Sequence, residues 1–534
     1  MKKYTKRESV GGGFISGVFI LSLSTLIVKV IGLAFKIPML SLLGMEGMGY
    51  FNSAYEIYAL LCVASTAGLP VALSILISSA RASEDDLKIS EVYRAAVRIF
   101  FVLGALGTAI MLILARPLSR WIGNDDAYFC ILAIAPALLF ICLASAIRGY
   151  CQGFENMKPT AISQLIEALS KLVLGVSFAF MGIKRGFSIP VVSALGVLGI
   201  TVGTVLSFGY LLVAQRAHRV SESGIGASRR GGIYKELLKI ALPITLGSAV
   251  ISLTRIIDMA LIMRRLQDIG VSQSTANEIY GAYTTLALPV FGLIPSLITP
   301  ISMALIPELT VFIKRKNIAG QGATVQRAIK LTSLLAMPAS IAVTVFSRQI
   351  LSLLFAGQDE AIEIATPLLS LLGASVLFSC LITTTNAILQ AYGCIRLPIF
   401  SMSLGVLVKA LSSYFLLGVE RIGKYGAPIG SLACNLTVVL LNFAFIMKYA
   451  KSTERAIGAI DCFGKPLLSS VISIGTAYCV YLMASSKIHS NAIAFLITVF
   501  VAIIIYCFAA ILLGALSRED IKMIPIVKNI IKEK

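Results

Sequence analysis

Residues 14–43 read FISGVFILSLSTLIVKVIGLAFKIPMLSLL, an apolar run whose only ionisable side chains are Lys29 and Lys36. A helix rises about 1.5 Å per residue, so roughly 20 residues cross the ~30 Å hydrocarbon core of a bilayer, and this run is long enough. Neither lysine has an acidic side chain within a helical turn. Their spacing is close to two turns, so both project from one helix face. An ionised group at the bilayer centre costs about 2.5–3.5 kcal/mol on insertion scales, so two such charges in one span need a reason.

The run is the first of many. The 534-residue chain is 57% hydrophobic and 13% charged, with a mean hydropathy of +0.90. Soluble domains carry about 25% charged residues, and these proportions place the chain in a membrane. Breaking it at polar, charged and Gly/Pro-rich stretches predicts an all-α polytopic membrane protein of about 14 transmembrane helices: 14–37, 51–79, 92–115, 127–147, 159–182, 188–213, 236–262, 281–308, 329–347, 364–389, 398–418, 427–447, 465–485 and 491–514. The leader MKKYTKRESVGGG runs into the first span with no small-residue cleavage site, and reads as an uncleaved cytoplasmic tail.

Loop charge orients these spans, because Lys and Arg are retained in the cytoplasm. With the amino terminus inside, 31 of the 46 Lys and Arg fall in cytoplasmic segments or at the cytoplasmic ends of spans, 10 in outer loops and 5 in span interiors. Both termini are therefore expected in the cytoplasm. The net charge of +20 is a topology signal, and no nucleic-acid partner is expected.

Two stretches resemble each other: QGFENMKPTAISQLIEALSK (152–171) and QAYGCIRLPIFSMSLGVLVK (390–409). Phe154 matches Tyr392, Lys158 matches Arg396 and Ser163 matches Ser401. Each links span 4 to 5 of its half. This predicts a cytoplasmic tail at 1–13, a six-helix lobe at 14–213, a basic cytoplasmic linker at 214–235, a second six-helix lobe at 236–447, two further helices at 465–514 and a cytoplasmic tail at 515–534. Six helices per lobe give the lobes parallel topology, with a pseudo-two-fold axis along the membrane normal and a substrate site at the midplane.

Few ionisable residues lie in the spans. Glu167 and Lys171 (i, i+4) can pair on one helix, as can Arg255 and Asp258 (i, i+3). Lys409 is the repeat equivalent of Lys171, but Gly405 stands where its acid would be; it either lines a cavity or extends to an interface. Lys29 and Lys36 are expected to face a hydrated cavity. Glu56, in YFNSAYEIYALL, is the nearby carboxylate, either their counter-ion or a protonatable coupling group. Five bases oppose three acids across the spans, which suits an anionic substrate such as a phosphate or diphosphate. A drug-cation exporter predicts the opposite sign. Asn52, Gln152, Gln164, Asn386, Gln390, Asn435 and Asn442 could meet sugar hydroxyls or bond between helices. Pro289, Pro295, Pro300 and Pro307 predict bends in span 8.

Other chemistries lack their residues. The 10 cysteines include no CxxC pair, the histidines are His218 and His489 alone, and no GxxxxGK[ST] loop occurs. No metal, no cofactor and no ATP-driven pump is expected of this chain. The outer loops are short, and the longest, RRLQDIGVSQSTANEIY (264–280), holds no paired-carboxylate or metal-binding cluster, so no enzyme and no catalytic residue is expected.

Five stretches carry a family likeness: GMEGMGYF (44–51), AGLPVALS (67–74), RGYCQGFENMKPTAISQLIE (148–167), YGAYTTLALPVFGLIPSLITPISMALIPEL (280–309) and LQAYGCIRLPIFSMSLGVLVKAL (389–411). In order and spacing they resemble the polysaccharide transport branch of the multidrug/oligosaccharidyl-lipid/polysaccharide flippase superfamily, in particular the stage V sporulation protein B and Gram-positive lipid II flippase group. The resemblance implies a two-lobed bundle that flips a polyprenyl-diphosphate-linked saccharide, a peptidoglycan or spore-wall precursor such as lipid II, across the bacterial cytoplasmic membrane by alternating access. It implies that Lys29 and Lys36 meet the diphosphate and that 465–514 forms a lipid-tail groove. Site residues expected are Lys29, Lys36, Glu56, Arg255, Asp258 and Lys409, with Asn52, Glu167, Lys171 and Gln390 as further substrate or gating positions. Partners are the lipid-linked substrate, membrane lipids and a cell-wall synthesis complex, with the chain acting as a monomer. The drive is a coupling ion, Na+ or H+, or the membrane potential. A cation-coupled multidrug antiporter is the alternative. The sequence departs from the family pattern at Ser41 and at Tyr283–Thr285, where relatives carry basic residues.

Overall fold

The computed structural model describes residues 12–216, 230–449, 458–488 and 490–515. Residues 1–11 and 516–534 of the expected tails, 217–229 of the linker, His218 and His489 lie outside the described residues. Among those described the structure is helical, with no strand. Twelve described segments are long and apolar enough to cross a membrane, against the 14 spans expected. One of them, Ile27–Arg81, has 55 residues, the length of two crossings.

Contacts divide the chain into two compact units, Met1–Gly281 and Ala282–Lys534. The first holds α1 (Gly12–Thr66), α2 (Leu69–Ala82), α3 (Asp86–Ile113), α4 (Ala115–Trp121), α5 (Tyr128–Gly153), α6 (Lys158–Ser170), α7 (Val176–Lys184), α8 (Ile189–Arg216), α9 (Arg230–Asp268) and most of α10 (Gln273–Ala282). α1 is two helices that meet at Gly44 (φ 64°, ψ −173°), a backbone state glycine adopts without strain, and this break falls within the expected connector between spans 1 and 2. The expected second span breaks instead at Ala67–Gly68. There a Cβ on Gly68 would collide with the Ala241 carbonyl oxygen of α9, so close helix crossing selects glycine. α9, assigned from sequence to the second lobe, packs on α1, α2 and α3.

α5 is the hub of this unit, packed on α1, α2, α3 and α8. Small residues let it approach closely: a Cβ on Gly149 would stand 2.9 Å from Pro70 Cα, and one on Gly153 would stand 2.7 Å from Ile77 Cβ. Pro136 interrupts its ladder of hydrogen bonds, and Thr201 of α8 donates to the Ala133 carbonyl at 2.6 Å.

After the Gly44 bend, GMEGMGYF is helical rather than a connector. Asn124, fully buried, donates to Ser53 Oγ at 3.0 Å and to Asn277 Oδ1 at 2.9 Å. Asn277 donates to the Glu46 carbonyl at 2.7 Å, and Ser193 to the Gly47 carbonyl at 3.0 Å. Gly49 leaves the space Asn277 fills.

The second unit holds α11 (Leu288–Lys314), α12 (Ile318–Val345), α13 (Ser347–Leu354), α14 (Asp359–Ala391), α15 (Arg396–Leu417), α16 (Gly426–Tyr449), α17 (Lys465–Lys487) and α18 (Asn491–Leu512). α14 is its hub, packed on α11, α12 and α16. Buried hydroxyls and amides join them: Thr332 to Thr384 (2.7 Å), Asn442 to Thr385 (3.0 Å) and Asn386 (2.8 Å), and Asn435 to Ser375 (2.7 Å). These amides thus bond between helices. The four-proline stretch forms one helix from Leu288 to Lys314, preceded by a π-helical turn at Tyr283–Ala287.

The internal repeat extends beyond the aligned residues. α5 ends at Gly153 and α6 starts at Lys158; α14 ends at Ala391 and α15 starts at Arg396, 238 positions later in both cases. The second residue of each turn adopts a left-handed backbone, Glu155 (φ 61°) and Gly393 (φ 78°). The long helices α3 and α12, each of 28 residues, are both followed after one residue by the short helices α4 and α13.

Two predictions follow from this packing. Pro338 in α12 cannot donate to the Leu334 carbonyl one turn back, and Tyr506 of α18 donates to it at 2.6 Å. Tyr506→Phe is expected to lower stability by about 1–3 kcal/mol, measured by thermal unfolding in detergent, with a smaller loss on a Pro338→Ala background. Gly49→Ala is expected to cost about 1–3 kcal/mol by overpacking against Asn277, whereas Gly32→Ala, with no neighbour within 4 Å, leaves the unfolding midpoint unchanged.

Candidate functional site

The bend at Gly44 gives α1 two halves with different duties. Its first half carries Lys29, Phe35 and Lys36; its second carries Phe51, Asn52, Tyr55 and Glu56. α9 contributes Arg255 and Asp258, and α6 with the π-helical turn Lys171–Gly175 contributes Glu167 and Lys171.

The unit gathers five of the expected site residues. Arg255 Nη1 lies 3.8 Å from Glu56 Oε2, so its ion pair crosses from α9 to α1. Glu56 is 12% exposed and Arg255 53% exposed, which leaves one face of the guanidinium open to an incoming group. Asp258 is buried and within electrostatic reach of Glu56. Lys36, half-buried, is within electrostatic reach of Lys171, Glu56 and Arg255. Asn52 is buried on the same half-helix as Glu56.

The within-helix pair of Glu167 with Lys171 is replaced by a different one. Arg148 Nη2 donates to Glu167 Oε2 at 3.1 Å and to Ser207 Oγ at 3.2 Å, and its Nε donates to Ser163 Oγ at 2.9 Å. Ser163 and Ser207 in turn donate to the Thr160 and Ser163 carbonyls. The guanidinium is thereby satisfied where α5, α6 and α8 meet. The span expected to end at residue 147 continues in α5 to Gly153, so Arg148, expected in a loop, lies within a helix. Lys171 instead has its ammonium over the rings of Phe35, Phe51 and Tyr55.

With Glu167 engaged by Arg148, the cluster holds three bases, Lys36, Lys171 and Arg255, and two acids, Glu56 and Asp258. An anion completes its charge balance. Lys29 is exposed, two turns before Lys36. Gln390, exposed at the end of α14, and Lys409, buried on α15, belong to the second unit. The aromatic rings were missed; the i, i+4 spacing of Phe51 and Tyr55 was the available signal.

A family model described as polysaccharide biosynthesis protein matches residues 14–312, and a second, MatE, matches residues 243–415. The chain is 23% identical to stage V sporulation protein B of Bacillus subtilis (strain 168) over 532 residues, covering 97% of this chain and 99% of that one. It is 24% identical to the lipid II flippase MurJ of the same organism over 458 residues, covering 81% and 82%. Among solved structures, the inward closed conformation of lipid II flippase MurJ aligns with a TM-score of 0.70 at 16% identity, covering 92% of this chain and 98% of that one. The inward-facing conformation of a multidrug resistance MATE family transporter aligns with a TM-score of 0.62 at 15% identity, covering 81% and 99%. The chain is a multi-pass membrane protein that belongs to the polysaccharide biosynthesis protein family, in the flippase group of the multidrug/oligosaccharidyl-lipid/polysaccharide superfamily.

Proposed function

We propose that the protein flips a polyprenyl-diphosphate-linked saccharide, a peptidoglycan or spore-wall precursor such as lipid II, across the bacterial cytoplasmic membrane by alternating access. The observation that carries this reading is the base excess at Lys36, Lys171 and Arg255 around Glu56 and Asp258. Charge-assisted contacts to a diphosphate are about twice as strong as neutral hydrogen bonds. The likeness to lipid II flippase MurJ along most of the chain supports the same reading.

In this reading the cluster binds the diphosphate, and Glu56 returns to Arg255 when the substrate leaves. Lys29 lies on the approach to Lys36, and Lys409 and Gln390 serve the second lobe. The prenyl tail has an apolar counterpart. α12, α17 and α18 enclose a cavity of about 420 Å³ lined by Leu334, Pro338, Phe346, Phe495 and Tyr506 among others, wide enough for a few isoprene units. Both termini are taken as cytoplasmic and the functional form as a monomer that serves a cell-wall synthesis complex. A Na+ or H+ gradient or the membrane potential drives the cycle. One observation favours a second reading, a cation-coupled multidrug antiporter: the half-buried Glu56 and the buried Asp258 are carboxylates of the kind a cation would need.

The test is complementation of a bacterium depleted of its lipid II flippase. The wild type is expected to restore precursor transport. Lys36→Leu and Lys171→Leu, at matched membrane levels, are expected to lose at least about tenfold, from the 1.5–3 kcal/mol typical of a hydrogen bond to a charged group. A wild type that restores no transport, yet extrudes a cationic dye in a manner abolished by Glu56→Gln, overturns the flippase reading in favour of the antiporter.

A further inference from the structure

Lys171 stands four residues after Glu167, the arrangement that normally neutralises a lysine within its own helix. The structure gives Glu167 a hydrogen bond from Arg148, so Lys171, still within electrostatic reach of that carboxylate, shares it and lies against aromatic rings. Its Nζ lies 4.6 Å from the ring centre of Phe35, 5.1 Å from that of Tyr55 and 5.7 Å from that of Phe51. The rings come from both halves of α1. Phe35 and Phe51 are buried and stand 5.7 Å apart with their planes tilted by 45°.

Two further features build this arrangement. Lys171 opens the π-helical turn Lys171–Gly175, a widened turn of a kind frequent at functional sites. Gly175 closes that turn and makes room for the first ring: a Cβ there would stand 3.1 Å from Phe35 Cε2 and 3.0 Å from the Gly196 carbonyl oxygen. The same turn therefore supplies the ammonium and seats one wall of its enclosure.

A carboxylate held by Lys171 alone would cancel its charge. Aromatic faces attract an ammonium through their quadrupole but carry no net charge. Lys36 is within electrostatic reach of Lys171, and an anion bound near both relieves their repulsion. We propose that Phe35, Phe51 and Tyr55 form an aromatic cage that holds the Lys171 ammonium and positions it to receive the diphosphate of the substrate. The ligand named here rests on the flippase reading; the cage does not.

The experiment measures binding of a polyprenyl diphosphate, with the monophosphate for comparison, to the full-length protein in nanodiscs. Phe51→Leu and Tyr55→Leu are expected to weaken diphosphate binding about 2- to 30-fold, while Phe51→Tyr and Tyr55→Phe retain wild-type affinity. On a Lys171→Leu background the leucine variants are expected to cause no further loss. Wild-type binding by the leucine variants overturns the proposal, and so does an equal loss with and without Lys171, since the rings would then act independently of it. A ligand-free readout separates the two proposals: ring currents are expected to shift the Lys171 ε-methylene protons upfield in NMR spectra of lysine-labelled protein. If that shift is present and lost in the leucine variants while the wild type binds no diphosphate, the flippase reading fails and the cage stands. If the wild type shows no shift, the cage fails.

Discussion

Water is scarce inside a bilayer, so every ionised side chain there must find a partner within the protein or face a wet cavity. That constraint organises the first unit. Arg148 is satisfied by Glu167 and two serine hydroxyls, and Arg255 reaches Glu56 across two helices. The ammonium of Lys171 lies against aromatic faces. The first arrangement closes its charge and serves as an anchor among α5, α6 and α8. The second pairs its charge between α9 and α1, and the third sets an ammonium against neutral rings.

The backbone obeys the same rule. Each proline in a membrane helix removes one donor; the Leu334 carbonyl that Pro338 leaves without one is met by Tyr506 of a neighbouring helix, and Thr201 donates to the Ala133 carbonyl beside Pro136. Glycine answers the complementary problem of close approach. At Gly49 and Gly68 the neighbour is an amide or a main-chain carbonyl, so a methyl group would displace the very atoms that hold the helices together. Hydrophobic burial cannot do this ordering, since lipid is as apolar as the helix faces. Hydrogen bonds and contact distance do it.

The repeat shows how much of an architecture survives when side chains diverge. Gly393 adopts its left-handed backbone freely, whereas Glu155 holds the same state at the matching turn, at an expense of about 1–2 kcal/mol for a residue with a Cβ. The turn geometry is thus imposed by the helices it connects rather than by the residue at its tip. Lys171 and Lys409 occupy equivalent positions, yet the first opens a π-helical turn beneath aromatic rings and the second lies buried within α15.

By itself the sequence determined the membrane class, the helical architecture and the family, because long apolar runs, loop charge and ordered motifs are properties of the chain read one residue after another. It also singled out Lys36, Glu56, Lys171, Arg255 and Asp258, since charge in an apolar run is visible without coordinates. Which charge meets which was decided only by the tertiary structure. The i, i+4 rule would join Glu167 to Lys171, but Arg148 sits on another helix and offers a guanidinium with two serines already placed beside it. The helical run that follows Gly44 likewise depended on packing, because Ser193 and Asn277 stand against Gly47 and Gly49. Local spacing states which partners are within reach along one helix; the three-dimensional fold brings in competitors from others, and in a medium of low polarity the better-satisfied partner prevails.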